Sequence, residues 1–214
     1  MGKRYGGIVF DLDGVICHTD KYHYRAWKAV ADRKGIYFDE TINNRLRGVS
    51  RMESLKIILE RYDGTLADGE MEALAAEKNE IYRRLLAGMT PADLSGEVRR
   101  TPEGLRERGI RLAIGSSSRN ARLILSRIGL GDYFDAVSDG NNITHSKPDP
   151  EVFLKAAQFL GLSPRDCLVV EDAKAGVEAA AAGGFDSAAI GDAARLRLAT
   201  YDMERFSDLL SICE

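Results

Sequence analysis

Two aspartates close the first apolar run of the chain, which reads IVFDLDG over residues 8–14. Side chains two positions apart on an extended segment share a face, so the carboxylates of Asp11 and Asp13 should lie close together. Carboxylates in such a cluster raise one another's pKa unless a cation lies among them. The spacing therefore favours a metal site in which one carboxylate is available for covalent chemistry. The alternative is a turn in which Asp-Leu-Asp-Gly only ends a strand.

Two later apolar runs are also followed by polar side chains. Ser116 comes after one of them, Glu171 and Asp172 come directly after another, and Lys147 lies in a loop ahead of a predicted helix. In open parallel sheets the ligands bind at the carboxyl ends of the strands, where these side chains would converge. Hard oxygen ligands suit Mg²⁺, which is commonly shared with phosphate. We therefore predict a site for Mg²⁺ and a phosphate group at this edge.

Each of these residues also has a structural interpretation. Ser116 could cap a helix formed by NARLILSRIG, residues 120–129. Glu171 and Asp172 could be first-turn acids that a helix dipole favours. Lys147 could be a solvated surface lysine.

The elements that must position these residues can be read from four short apolar runs, at 8–10, 112–114, 168–170 and 188–190. Continuous apolar strands that alternate with helices predict an α/β fold with a doubly wound, Rossmann-like parallel sheet buried on both faces. The helix signals agree. Pro150 is expected as the first helical residue before EVFLKAAQFL, Gly161 as its stop, and VEAAAAGG ends in glycine.

Residues 17–88 contain no comparable strand. Tyr22, Ala26, Trp27 and Val30 recur at helical spacing, and the sequence from Ser50 to Glu53 is a capping box for another helix. We predict a helical cap domain of four helices at 17–88, inserted into a catalytic core formed by 1–16 and 89–214.

The composition argues against several classes of protein. A formal net charge of -3, without a long basic run, gives no footprint for nucleic acid. No apolar stretch reaches the roughly 18 residues of a membrane helix, and no signal peptide is readable. The three cysteines are far apart and suit neither a zinc site nor a disulfide framework. We expect a reduced, cytoplasmic protein.

Four motifs in order resemble those of the haloacid dehalogenase superfamily: DLDGV at 11–15, the strand end at Ser116, Lys147-Pro148 and Glu171-Asp172. Within that superfamily the chain is most similar to the β-phosphoglucomutase family. The similar segments are HTDKYHYRAW (18–27), LRGVSRMES (46–54), EKNEIY (77–82), GSSSRN (115–120) and SKPDP (146–150). The resemblance covers essentially the whole chain, and the insert looks like the helical cap of that family.

The resemblance implies roles for the core residues. Asp11 would be the nucleophile that forms an aspartyl phosphate, and Asp13 the general acid and base. Ser116 and Lys147 would hold the oxygens of the transferring phosphoryl group. Mg²⁺ would be held by the Asp11 carboxylate, the backbone carbonyl of Asp13, and Asp172, with Glu171 beside it.

The resemblance also implies roles in the cap. Arg51 would bind the second phosphate of the substrate, with Ser118 and Asn120 assisting from the core. His23 and Lys78 would couple cap closure to the placement of Asp13. The other predicted substrate-binding residues are Trp27, Gly48, Val49 and Ser50.

Simpler interpretations exist for the cap residues as well. Arg51 could be an exposed first-turn residue, His23 a packed or surface histidine, and Lys78 a solvated lysine. Trp27 fits the cap core better than a substrate contact. His18 stands at the hinge where the superfamily usually has an acidic residue.

The activity that the resemblance implies is interconversion of β-D-glucose 1-phosphate and glucose 6-phosphate through glucose 1,6-bisphosphate. The main alternative is a Mg²⁺-dependent sugar-phosphate phosphatase, in which water accepts the phosphoryl group. A phosphonate-cleaving relative would need a Schiff-base lysine, for which Lys78 is a poor candidate. A silent phosphosugar-binding protein would have lost Asp11 or Asp13. The expected partners are a phosphorylated hexose and its bisphosphate, bound by a monomer, without nucleic acid or membrane.

Overall fold

The computed structural model describes residues 5–214, apart from the side chain at position 68. Within them lies a six-stranded sheet with the order β3-β2-β1-β4-β5-β6, paired in parallel throughout. The strands are β1 (Gly7–Phe10), β2 (Arg111–Gly115), β3 (Ala136–Ser138), β4 (Cys167–Glu171), β5 (Asp186–Ala189) and β6 (Tyr201–Asp202). This sheet confirms the predicted α/β, Rossmann-like fold.

The four apolar runs form the four inner strands of the sheet, although Ile190 falls just beyond β5. All four residues of β1 are buried, because β1 pairs with β2 on one side and with β4 on the other. The two strands that the sequence did not predict, β3 and β6, are the short strands at the two edges.

Four α-helices lie between β1 and residue 86. They are α1 (Asp20–Lys34), α2 (Glu40–Asn44), α3 (Arg51–Leu59) and α4 (Asp68–Leu86). Trp27, Val30, Leu55, Ile58 and Leu74 belong to a hydrophobic cluster of their own. The helical content of this segment is as predicted. The domain boundaries at 16/17 and 88/89 stay a prediction, and residues 1–4 of the predicted core lie outside the described residues.

The remaining helices flank the sheet: α5 (Gly96–Glu107), α6 (Ala121–Arg127), α7 (Glu151–Leu160), α8 (Lys174–Ala182), α9 (Asp192–Leu196) and α10 (Leu209–Ile212). Successive residues of β1 belong to two separate hydrophobic clusters. Ile8 and Phe10 pack on one side of the sheet with residues of α5 and α6. Val9 packs on the other side with residues of α7 and α8. The alternation follows from the two faces of a strand. No helix in the described part of the chain is long and apolar enough to cross a membrane.

Helix boundaries follow the predicted signals with one shift. Pro150 is the N-cap of α7 rather than its first residue, so the helix begins one residue later than predicted, at Glu151. Gly161 ends it in the left-handed conformation, at φ 66°, which glycine adopts without strain. At the start of α3, Ser50 Oγ accepts the N–H of Glu53 at 3.2 Å, which is one of the two hydrogen bonds of the predicted capping box, while the Glu53 carboxylate accepts from Lys56.

Candidate active site

The register of the sheet brings the predicted core residues to one edge. Phe10, Ile114 and Val170 are paired across the three central strands, so the residues that follow them lie side by side at the carboxyl ends of these strands. Asp11 follows directly, and its backbone N–H still donates to the Val170 carbonyl at 2.9 Å. The two aspartates therefore lie in the loop beyond β1 rather than on the strand itself.

A cavity of about 1180 Å³ lies between this edge and the helices that follow β1. Every residue predicted for catalysis, metal binding or substrate binding lines it. These are Asp11, Asp13, His23, Trp27, Gly48, Val49, Ser50, Arg51, Lys78, Ser116, Ser118, Asn120, Lys147, Glu171 and Asp172.

Lys147 is a buried cation between two carboxylates. Its Nζ lies 2.5 Å from Asp11 Oδ1 and 2.5 Å from Glu171 Oε1, with side chains that are 1% exposed for Lys147 and Glu171. Burial lowers the pKa of Lys147, but the two carboxylates outweigh it and raise that pKa above its ordinary value. The interpretation as a solvated lysine is therefore wrong.

The carboxylates around Lys147 carry more negative charge than one ammonium neutralises. One oxygen from each of Asp11, Glu171 and Asp172 lies within 4.8 Å of the others. Burial and the neighbouring Glu171 raise the pKa of Asp172 to about 7, and burial raises that of Asp11 well above its ordinary value. Three hard oxygen donors with excess negative charge fit a divalent cation such as Mg²⁺.

Two glycines make room for these carboxylates. A Cβ on Gly14, which has φ 96°, would collide with the Asp172 carboxylate, and a Cβ on Gly176 would collide with that of Glu171. Glu171 Oε2 accepts the backbone N–H groups of Asp172 and Ala173, each at 2.9 Å. Both oxygens of the Glu171 carboxylate thus have hydrogen-bond partners, which fix the orientation in which a metal ion would find it.

Asp13 faces a different partner. Its Oδ1 accepts a hydrogen bond from the hydroxyl of Thr19, a fully buried residue just before α1. Burial raises the pKa of Asp13 to about 6, although the Thr19 hydrogen bond opposes the shift. A carboxyl group that titrates near neutrality can both give and take a proton, as a general acid and base must. The predicted metal contact of Asp13 uses its backbone carbonyl and stays a prediction.

His23 and Lys78 are in contact across helices α1 and α4. Lys78 Nζ lies 2.8 Å from His23 Nδ1 and stands over the rings of Trp27 and Tyr82, 5.0 and 4.6 Å from their centroids. Lys78 is only 3% exposed, so it is not a solvated lysine. Trp27 packs in the helical cluster, as the simpler interpretation predicted, and also borders the cavity.

We expect Lys78→Met to stabilise the protein more at pH 7 than at pH 9.5. Burial and then the Arg51 charge lower the pKa of Lys78 to about 7. Between pH 7 and the ordinary pKa of lysine, the unfolded chain therefore binds a proton at Lys78 that the folded chain does not. As the pH falls through this range, Lys78 lowers the free energy of unfolding, and this destabilisation is complete below pH 7. The gain in unfolding free energy that Lys78→Met brings at pH 7 should exceed the gain at pH 9.5 by about 1–3 kcal/mol.

Urea unfolding at both pH values measures this difference. Lys56→Met is the control, because it removes an exposed ammonium from α3, the neighbouring helix. Equal gains at pH 7 and pH 9.5 for Lys78→Met would contradict the assigned pKa.

A second group of polar residues lies where α3, α4 and the loop after β2 meet. Arg51 Nη2 donates to Asn79 Oδ1 at 2.8 Å, and Asn120 Nδ2 donates to the same oxygen at 2.9 Å. Arg83 Nη1 donates to Asn120 Oδ1 at 3.3 Å. Arg119 also borders the cavity. Arg51, first residue of α3 as predicted, thus points into the site.

Sequence reasoning missed Asn79, Arg83 and Arg119. Arg119 stands between two residues already predicted as substrate-binding, and that position was the available signal. Asn79 follows Lys78 directly, but nothing in the sequence marks it as a partner of residues 28 and 41 positions away.

Ser116 does not cap helix α6. Its Oγ accepts the N–H of Ser118 at 3.2 Å, and Ser118 Oγ accepts the N–H of Asn120 at 3.2 Å. The N-cap of α6 is Asn120, whose side chain makes no capping hydrogen bond. The capping interpretation of Ser116 is therefore wrong, and its buried hydroxyl borders the cavity beside the acidic residues.

Arg47 joins the helical segment to the core at the rim of the cavity. Its guanidinium donates to Asp20 at 2.8 Å, at the start of α1, and to Asp192 at 2.9 Å, at the start of α9. Next to it, Gly48 approaches the side chains of Ala173 and Ala175, directly beyond Asp172. The loop before α3 thus packs against the loop that carries an acidic residue of the site.

Comparison with known proteins identifies similar chains over nearly the full length. The chain is 39% identical over 205 residues to β-phosphoglucomutase of Bacillus subtilis, covering 94% of this chain and 90% of that one. It is 37% identical over 188 residues to a fructose-1-phosphate phosphatase of Escherichia coli, covering 87% and 97%. A crystal structure of β-phosphoglucomutase from Clostridium difficile matches with a TM-score of 0.89 and 34% identity, covering 96% and 93%.

The family described as haloacid dehalogenase-like hydrolase matches residues 5–184, which include the acidic cluster, Lys147 and the whole helical segment. The parallel sheet, the site at its carboxyl edge and these matches agree. The chain is a member of the haloacid dehalogenase-like family and a homologue of β-phosphoglucomutase.

Proposed function

We propose that this protein is a phosphosugar mutase that interconverts β-D-glucose 1-phosphate and glucose 6-phosphate through an aspartyl phosphate and glucose 1,6-bisphosphate. The observation that carries the proposal is a second cationic site in the cavity that holds Asp11. Among the described residues, Arg51 and Arg119 have no carboxylate within 4.0 Å, and both border that cavity. Guanidinium groups without a carboxylate partner suit a phosphate group.

The first chemical step is assigned to Asp11 and Asp13. An Asp11 oxygen attacks the phosphorus of the bisphosphate, the bond from phosphorus to the sugar oxygen breaks, and Asp13 gives its proton to that oxygen. In the second step Asp13 takes the proton of a sugar hydroxyl as that oxygen attacks the aspartyl phosphate, and Asp11 is released. The phosphoryl group is conserved, and water takes no part.

Three other residues position the transferring group. Lys147, whose Nζ contacts Asp11, can follow a phosphoryl oxygen with its ammonium group, and the Ser116 hydroxyl can donate to another. Asp11, Glu171 and Asp172, together with the Asp13 carbonyl, would hold Mg²⁺. When bound, that ion would neutralise charge on the phosphoryl oxygens.

The rival function is a sugar-phosphate phosphatase with the same nucleophile. The E. coli relative with that activity is nearly as similar to this chain as the B. subtilis mutase, at 37% against 39% identity. A phosphatase has no need to hold a second phosphate. The unpaired Arg51 therefore favours the mutase.

The test is to follow glucose 6-phosphate and free phosphate together. The protein is incubated with Mg²⁺, β-glucose 1-phosphate and a trace of glucose 1,6-bisphosphate, in parallel with Arg51→Ala. We expect mainly glucose 6-phosphate from the wild type. Arg51→Ala should raise KM for the sugar phosphate by at least about tenfold, because a charge-assisted contact is lost.

Free phosphate as the main product of the wild type would make the protein a phosphatase. An Arg51→Ala loss that is the same on p-nitrophenyl phosphate, which has no second phosphate, would count against the role of Arg51. The monomeric state and the cytoplasmic location stay predictions.

A further inference from the structure

We propose that Asn79 is a positioning residue for the second phosphate group, and that its neutral amide, rather than a carboxylate, keeps the charge of Arg51 available. This inference rests on the proposed function, since it deepens the role of the second cationic site.

Asn79 connects three segments of the chain at the site. Its Oδ1 accepts one hydrogen bond from Arg51 on α3 and one from Asn120 in front of α6, at 2.8 and 2.9 Å. Because a guanidinium can only donate, the atom that faces Arg51 must be the amide oxygen. The Asn120 amide is oriented by the same logic, since its oxygen faces Arg83 Nη1.

Within the described residues, the hydrogen bond to Asn79 leaves most of the N–H donors of Arg51 free. A guanidinium has five N–H groups, and Asn79 engages Nη2 alone among those of Arg51. Asn120, which is 5% exposed, also keeps a second amide N–H. An acceptor at this position therefore fixes the direction of the side chain of Arg51 while the remaining N–H groups can meet a phosphate.

The chemical type of residue 79 decides how strongly the site binds an anion. An aspartate would fit the same space and accept the same two hydrogen bonds, but it would pair with Arg51 and repel a phosphate dianion. An alanine would release Arg51 without neutralising it. The proposal thus predicts that the isosteric change is more harmful than the truncation, which is the reverse of the order expected for a packing role.

The experiment compares Asn79→Asp and Asn79→Ala with Asn44→Asp. The control introduces the same charge at an exposed asparagine of α2 that does not border the cavity. KM and kcat are measured with β-glucose 1-phosphate plus a trace of glucose 1,6-bisphosphate, and separately with p-nitrophenyl phosphate. Thermal unfolding of each variant confirms that it is folded.

We expect Asn79→Asp to raise KM for the sugar phosphate by at least about tenfold, Asn79→Ala by about threefold, and Asn44→Asp not at all. The loss on p-nitrophenyl phosphate should be several-fold smaller, because that substrate lacks a second phosphate. The proposal is overturned if alanine is as harmful as aspartate, or if both substrates lose equally.

The result remains separable from the proposed function. If the wild type releases only inorganic phosphate, the mutase assignment fails, and the same comparison is made on hydrolysis of glucose 1,6-bisphosphate against p-nitrophenyl phosphate. A selective rise in KM for the bisphosphate in Asn79→Asp would still support Asn79, and its absence would refute it.

Discussion

Replacement of Asp11 by alanine is expected to abolish the phosphoenzyme and to lower turnover by at least about 10⁴-fold, the scale of losing a covalent nucleophile. Asp11 is the acidic residue at the end of β1 that contacts Lys147 directly, and the site offers Lys147 for stabilising charge on a group transferred to it. The measurement is acid-stable incorporation of label from radioactive glucose 1,6-bisphosphate, together with the rate of glucose 6-phosphate formation.

Asp11→Asn is the matched variant, because it keeps the shape of the side chain and removes its negative charge and nucleophilicity. It should be as inactive as Asp11→Ala while it preserves a partner for Lys147 in the buried cluster. Label retained by either variant would place the nucleophile on another acidic residue of the cavity, with Glu171 and Asp172 as the nearest candidates.

Asp13→Asn should slow phosphoryl transfer from a sugar phosphate by about 10²–10⁴-fold, the range typical of a lost general acid or base. Its effect should depend on the leaving group. p-Nitrophenolate leaves without a proton, so the first release of p-nitrophenolate from p-nitrophenyl phosphate should slow far less than transfer from a sugar. Single-turnover rates on both substrates give the comparison.

The pH profile supplies an independent test of Asp13. Its pKa is raised to about 6, mainly by burial, so the proton needed by the leaving sugar is lost as the pH rises through that value. The rate of phosphoenzyme formation from the bisphosphate should accordingly fall above about pH 6 in the wild type, and this step of the profile should be missing in Asp13→Asn. An unchanged profile in the variant would assign the titration to a different group.

The fold was predictable where strands are buried on both sides. The runs at 8–10 and 168–170 are apolar throughout because the neighbouring strands and the two hydrophobic clusters cover them. The edge strands lack this signal: β6 has two residues, Tyr201 and Asp202, and is paired on one side only. Its position depends on tertiary contact rather than on local pattern.

The residues of the site that belong to a recognised motif could be predicted from the sequence. Asp11 and Lys147 come from motifs that resemble those of the superfamily, and the structure brings them into contact although 136 positions separate them. Asn79 and Arg47 lie in segments that resemble the family, EKNEIY and LRGVSRMES, but the resemblance gave neither residue a role. Their contacts arise only when α4 and the loop before α3 are packed against the core, so no spacing in the sequence could reveal them.

The distribution of charge gives the cavity a polarity that a ligand must follow. Carboxylates gather where β1 and β4 end, while Arg51 and Arg119 have no acidic partner in the part of the chain that the structure describes. A sugar with one phosphate would therefore enter with that group toward the guanidinium groups and with a free hydroxyl toward Asp11 and Asp13. On the proposed function, the bound monophosphate would be oriented to accept a phosphoryl group from the aspartyl phosphate, and not to donate its own phosphoryl group to Asp11. Hydrolysis of the monophosphate would thus be disfavoured by its orientation in the cavity.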